Sequence, residues 1–188
     1  MRFDYVIVGA GSAGCALANR LSEDGRYRVA LIEAGSRDTS PWIHIPVGYF
    51  RTMGNPKMDW CYETQEDAGI ANRSIPWPRG RVLGGSSSIN GLLYVRGQAQ
   101  DYDGWAQMGC TGWSWSDVLP YFKRSETWEG ADQTGLRGKS GPLSVQNSRL
   151  TRDVVDKWVG GAVDGGYKRN PDYNGADQEC VGYFQLTM

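Results

Sequence analysis

Tyr5-Val6-Ile7-Val8-Gly9-Ala10-Gly11-Ser12-Ala13-Gly14 is the stretch that decides the fold of this 188-residue chain. Four consecutive apolar residues mark a strand buried in a parallel sheet. They run into Gly-x-Gly-x-x-Gly, and beyond it Cys15, Ala16, Leu17, Ala18 and Leu21 form one apolar helical face, with Asn19, Arg20 and Glu23 outward. Gly25 is a helix stop, and Arg28-Val29-Ala30-Leu31-Ile32 is a second buried strand that delivers Glu33. Residues 1–35 therefore predict a complete βαβ unit. Glu33 follows the last glycine by roughly twenty positions, the spacing of a dinucleotide-binding turn. Gly9 permits the tight turn, Gly11 lets the backbone approach a pyrophosphate, and Gly14 lets helix and strand pack closely. The helix N-terminus offers N–H groups and a partial positive charge to phosphates. Glu33 can accept hydrogen bonds from both ribose hydroxyls and would repel a 2′-phosphate. FAD and NAD both use such a cradle, and the motif does not choose between them.

Composition narrows the function classes. Lys plus Arg number 20 against 21 Asp plus Glu, a net charge of -1, so an electrostatic binder of nucleic acid or acidic membrane has no warrant. Apolar residues make up 40%, enough to bury a core. The 26 glycines are about twice the usual share of roughly 7%, yet no Gly-X-Y period or Gly/Ser run accounts for them. They predict sharp turns and close backbone approach. Cys15, Cys61, Cys110 and Cys180 include no C-x-x-C pair, and the single histidine, His44, has no nearby ligand partner. Neither a metal site nor a disulfide framework is expected; reduced thiols in the cytoplasm are. No stretch approaches the roughly 18 apolar residues of a membrane span, and no basic-then-apolar leader opens the chain, so a soluble protein without a secretory signal is expected.

Farther along, Pro41, Pro46, Pro56, Pro76 and Pro78 keep residues 36–80 irregular. Residues 98–129 predict a helical segment rich in aromatics, with a helix start at Ser116-Asp117-Val118-Leu119. Without a basic stripe, Trp105, Trp113, Trp115, Tyr121, Phe122 and Trp128 are packing residues rather than a base-stacking platform. Asp101 and Asp103 have no third ligand near and fit a solvated turn or a helix cap. Residues 130–141 predict a surface loop, Leu150–Val163 an amphipathic helix, and Val181–Leu186 a strand.

The second motif lies at residues 79–103. Gly84-Gly85-Ser86-Ser87-Ser88 presents bare backbone and hydroxyl donors, suited to a phosphate or a flat ring, and Asn90 adds an amide. The run Gly80-Arg81-Val82-Leu83-Gly84-Gly85-Ser86-Ser87-Ser88-Ile89-Asn90, continuing through Tyr94 and Gly97 to Asp103, resembles the signature of the glucose–methanol–choline (GMC) flavoprotein oxidoreductases. Ile32-Glu33-Ala34-Gly35, Asp59-Trp60-Cys61-Tyr62-Glu63-Thr64 and Leu119-Pro120-Tyr121-Phe122 match as well, and the resemblance covers essentially the whole chain. His44-Ile45-Pro46-Val47-Gly48 and Asn174-Gly175 look most like the bacterial choline and aliphatic-alcohol dehydrogenase branch.

The resemblance implies FAD rather than NAD. It places Gly9, Gly11, Ser12, Ala13 and Gly14 on the diphosphate, and Glu33 with Ala34 on the adenosine ribose. It puts Trp60, Arg81, Val82, Gly85 and Ser86 along the cofactor, with Asn90, Gly91, Leu92 and Leu93 at the isoalloxazine. Some relatives carry a flavin-bonded histidine just before this asparagine; Ile89 stands there, so non-covalent FAD is expected. The implied fold is α/β: a Rossmann-type FAD-binding region (1–35), FAD-covering loops with the signature (36–130), and the start of an α+β substrate or cap domain (131–188). The implied reaction is oxidation of a primary alcohol to an aldehyde by hydride transfer to flavin N5, with a quinone or other electron acceptor. Such an enzyme would be cytoplasmic, with peripheral contact to the inner membrane open to it. Relatives are longer and carry a catalytic histidine near their far end. His44 matches no such position, so no catalytic residue is expected here, and the chain is expected to be the N-terminal part of a longer enzyme. An oxygen-using flavin oxidase, a fatty-acid photodecarboxylase and a non-catalytic FAD-binding module are the alternatives.

Overall fold

In the computed structural model, which describes residues 2–188, Tyr5–Val8 forms strand β1, Ser12–Ser22 helix α1 and Val29–Ile32 strand β2. This is the βαβ order that the apolar runs and the glycine spacing dictate. β1 and β2 pair in parallel, with Tyr5 opposite Val29 and Val8 opposite Ile32. A Cβ on Gly14 would sit 1.9 Å from the Gly9 carbonyl oxygen, so helix and turn meet here only because residue 14 has no side chain. Burial differs from expectation: Val6, Val8 and Ile32 are 57%, 84% and 52% exposed. The reason is sheet width. β1 and β2 make a two-stranded sheet, and one helix packed against two strands leaves the other face open.

The chain divides into two compact units, one up to Gly91 and the other from Leu92 to Met188. The division falls inside the 36–130 stretch. The proline-rich part of the first unit holds a short helix α2 (Tyr49–Thr52) and an antiparallel pair, β3 (Tyr62–Glu63) and β4 (Pro76–Trp77). The signature segment begins as extended backbone and closes in a 3-10 turn at Gly85–Ser88. Isolated bridges tie it to the rest of the unit, joining Gly11 to Gly84, Ser36 to Val82 and Asp59 to Gly80. Beneath it, Met58, Val82 and Ile89 form a small apolar core with Ile43 against it.

The second unit comprises β5 (Leu93–Tyr94), α3 (Ala99–Gln107), α4 (Trp115–Ser125), β6 (Glu126–Trp128), β7 (Leu143–Asn147), α5 (Asp153–Asp164) and β8 (Gln185–Leu186). Its sheet runs β5-β8-β7-β6, antiparallel except for the parallel β6–β7 pair. The aromatic segment is thus two helices and a strand rather than one helical stretch. Carboxylates set the breaks: Asp101 accepts from the Gln98 N–H at 2.7 Å, and Asp103 from the Trp115 N–H at 2.9 Å. Tyr102 gathers Trp105, Trp115 and Phe122 around it, with ring centroids 5.4, 5.7 and 5.7 Å away.

Glu126–Trp128 pairs with β7 through its backbone, and a buried charge network anchors its first residue. The Glu126 carboxylate is fully buried between the buried Arg96 and Arg137 guanidinium groups, 2.5 Å from each. Arg137 also pairs with Asp172 at 2.6 Å and lies 4.1 Å over the Trp128 ring. Two positive and two negative groups balance, and among the described residues no buried side-chain nitrogen or oxygen lacks a partner. Such a network is tolerable in a core only when fully satisfied. Among the described residues no helix is long and apolar enough to cross a membrane.

Candidate dinucleotide-binding site

The site is built where the two glycine motifs meet, backbone against backbone, within the first unit. The Gly84 N–H donates to the Ala10 carbonyl at 2.7 Å, and the Leu83 N–H to the Ser36 carbonyl at 2.9 Å. A Cβ on Gly35 would fall 2.0 Å from the Arg81 carbonyl oxygen, so residue 35 must be glycine for the two chains to lie this close. Between them opens a cleft of about 510 Å³ that brings together Gly9, Gly11, Glu33, Ala34, Trp60, Gly85 and Ser86. A second hollow of about 510 Å³ runs across the start of α1, bordered by Ser12, Ala13 and Gly14 with Gly9, Gly11 and Ser86. The first N–H groups of a helix have no intrahelical acceptor. Here the start of α1 borders a hollow whose lining includes Gly9, Gly11 and Gly14, and helix N–H groups beside glycine backbone are the chemistry a diphosphate requires.

Glu33 stands at the end of β2 and is held by backbone donors. One carboxylate oxygen accepts from the Ala10 N–H at 2.8 Å, and the other from the Gly35 N–H at 2.9 Å. Each oxygen accepts more than one hydrogen bond, so the carboxylate is oriented and still able to receive hydroxyl donors. Across the cleft, the Trp60 ring stacks on Tyr62 with centroids 5.8 Å apart and planes 4° from parallel, and the Arg81 guanidinium lies 5.0 Å over Trp60. This wall is fixed by Asp59, whose carboxylate accepts backbone N–H groups from Gly54 (2.7 Å), Arg79 (2.9 Å) and Cys61 (3.0 Å). Burial opposes the charge, but the hydrogen bonds from Cys61, Gly54 and Arg79 outweigh it and hold the carboxyl below its ordinary 3.8.

The remaining expected residues are placed differently. Val82 is buried in the apolar core rather than lining the cleft, and its backbone meets Ser36. Asn90 and Gly91 close the first unit, whereas Leu92 and Leu93 belong to the second, where Leu93 pairs with Leu186. Ile89, at the place of the flavin-bonded histidine, is 2% exposed and packs with Met58 and Val82. Val8, Ile32, Tyr62 and Arg79 also line the cleft, as does Gly80 from the start of the signature run. His44 lies on the surface with Nε2 2.6 Å from the Asp38 carbonyl oxygen, bound to local backbone.

Comparison with known proteins shows the family and the fold. Residues 3–188 match the family model described as GMC oxidoreductase. An oxygen-dependent choline dehydrogenase of Brucella anthropi is 46% identical over 188 residues, which is 100% of this chain and 34% of that protein. One from Photobacterium profundum is 45% identical, over 99% of this chain and 33% of its own length. Among solved structures, pyridoxine 4-oxidase from Mesorbium loti superimposes with a TM-score of 0.92 at 36% identity, covering 100% of this chain and 37% of that one. An FAD-dependent oxidoreductase from Chaetomium thermophilum gives 0.84 at 30%, covering 98% of this chain and 33% of that one. The chain thus spans about a third of the length of the curated relatives it matches.

Proposed function

Because the chain belongs to the GMC oxidoreductase family, we propose that it forms the FAD-binding part of an oxidoreductase that converts a primary alcohol to an aldehyde. The observation that carries the reading is the cleft where the Gly9–Gly14 turn, Glu33 and the Gly84–Ser86 turn converge. Its donor set fits the group. The α1 N-terminus and glycine backbone suit a diphosphate, the oriented Glu33 carboxylate suits a ribose diol, and Trp60 offers an apolar face beside them. Glu33 would repel a 2′-phosphate. Arg81, Gly85 and Ser86 would border the flavin half, with the backbone of Asn90 and Gly91 approaching the ring. When bound, FAD supplies the hydride acceptor at flavin N5. No residue among these 188 is assigned as the base that takes the hydroxyl proton, since His44 is occupied at the surface by the Asp38 carbonyl.

The cofactor would be dissociable, because Ile89 carries no nucleophile and is buried among apolar side chains. In the dehydrogenase reading the electrons pass to a quinone or other acceptor, and a quinone would leave peripheral contact with the inner membrane open to a cytoplasmic protein. An oxygen-using oxidase is the second reading, favoured by the likeness to a pyridoxine 4-oxidase. The test is reconstitution. FAD should bind with quenched flavin fluorescence, NAD should not compete, and acid precipitation should leave the flavin in the supernatant. Failure to take up FAD, or a preference for NAD, would sink the reading. Peroxide formation during alcohol turnover by the full-length protein would decide for the oxidase.

A further inference from the structure

We propose that Asp59 is a positioning residue of the cofactor cleft, acting through Trp60 and Arg81 rather than by touching the cofactor. The proposal rests on the FAD reading above. Asp59 is 2% exposed and has no ion-pair partner among the described residues, an expensive place for a carboxylate unless hydrogen bonds replace water. Three backbone N–H groups do so, from Gly54, Cys61 and Arg79. They reach the carboxylate from both oxygens, Gly54 on one and Cys61 with Arg79 on the other. Only a carboxylate offers acceptors on both sides; an amide would turn a donor toward one of these N–H groups.

The clamp has a consequence for the cleft. By holding the Cys61 and Arg79 backbones to one atom, Asp59 sets the two chains antiparallel, with Asp59 opposite Gly80. The ladder then continues, Trp60 N–H to the Arg79 carbonyl at 2.9 Å and Arg81 N–H to the Met58 carbonyl at 2.8 Å. Cys61 is forced into the left-handed region at φ +52°, a conformation that non-glycine residues keep only when their surroundings impose it. That turn aims the Trp60 ring into the cleft and brings the Arg81 guanidinium over it at 5.0 Å. The carboxylate thus fixes a wall that it does not itself form.

A double-mutant cycle on FAD affinity in the full-length protein separates this from a general structural role. Asp59→Asn should weaken FAD binding about tenfold through the lost charge-assisted hydrogen bond. Trp60→Ala should weaken it by its own amount, and the double variant should bind no worse than the weaker single variant, because the two act as one unit. Losses that multiply would overturn the proposal, as would an Asp59→Asn protein that binds FAD like the wild type. If Asp59→Asn does not fold, Asp59→Glu takes its place: it keeps the charge, displaces the two chains by a methylene, and should lose affinity only while Trp60 is present. A wild-type protein that takes up no FAD would sink the functional reading and this proposal together; multiplicative losses would sink this one alone.

Discussion

A single methyl group is a sharp probe where backbones touch. At residue 35 it would have to displace the Arg81 carbonyl, 2.0 Å away, and with it the joint between the two glycine motifs. Gly35→Ala should therefore destabilise by about 1–3 kcal/mol or more, the usual range for overpacking, and weaken FAD binding; urea unfolding and flavin titration read both. Asp59 gives a prediction in pH. Its folded carboxyl titrates below the ordinary 3.8, so its contribution to stability is fully present above that value and is lost as pH falls through the folded pKa. Unfolding free energy should decline on the acid side in the wild type, and that decline should be shallower in Asp59→Asn.

At the scale of elements, α5 and β6 respond to different rules. Gly160 lies inside α5 with nothing within 4 Å of a Cβ placed there, so Gly160→Ala should stabilise by about 0.5–1 kcal/mol, seen as a raised urea midpoint. Glu126→Gln in β6 should do the reverse. It leaves the Arg96 and Arg137 guanidinium groups buried without their shared anion, and breaking such a pair costs about 3–5 kcal/mol. This contrast also explains what could be read in advance. β1, α1 and β2 were legible because apolar periodicity and glycine spacing are local signals in a run of about thirty residues. β6 and β7 were not, because Glu126 and Arg137 look like surface charges until a fold brings Arg96 and Asp172 to them. The Gly9–Gly14 and Glu33 half of the cleft was visible for the same local reason. Arg79 and Tyr62 were not, since their place depends on Asp59 joining chains twenty residues apart. The burial of β1 was overestimated because a single sequence shows that a strand is apolar and not how many neighbours it will have.

At the scale of the whole molecule, ligand and fold are linked within the first unit. FAD at a hundredfold excess over its dissociation constant should stabilise by about 2.7 kcal/mol. Hydrogen exchange should slow at Gly9–Gly14, Glu33–Gly35 and Gly84–Ser86. Alcohol-dependent dye reduction by the 188 residues alone should be absent, since they hold one histidine and it is engaged at the surface; robust turnover would show that the base lies among them. The pairing of Gly11 with Gly84 has a further consequence, in the order of events during synthesis. One lip of the cleft leaves the ribosome with the first strand and helix, but the other follows more than seventy residues later. At about 5–20 residues per second that interval is roughly 4–15 s. For that time the nascent chain carries a dinucleotide turn with nothing opposite it, and the flavin has nowhere to settle until Gly84 emerges.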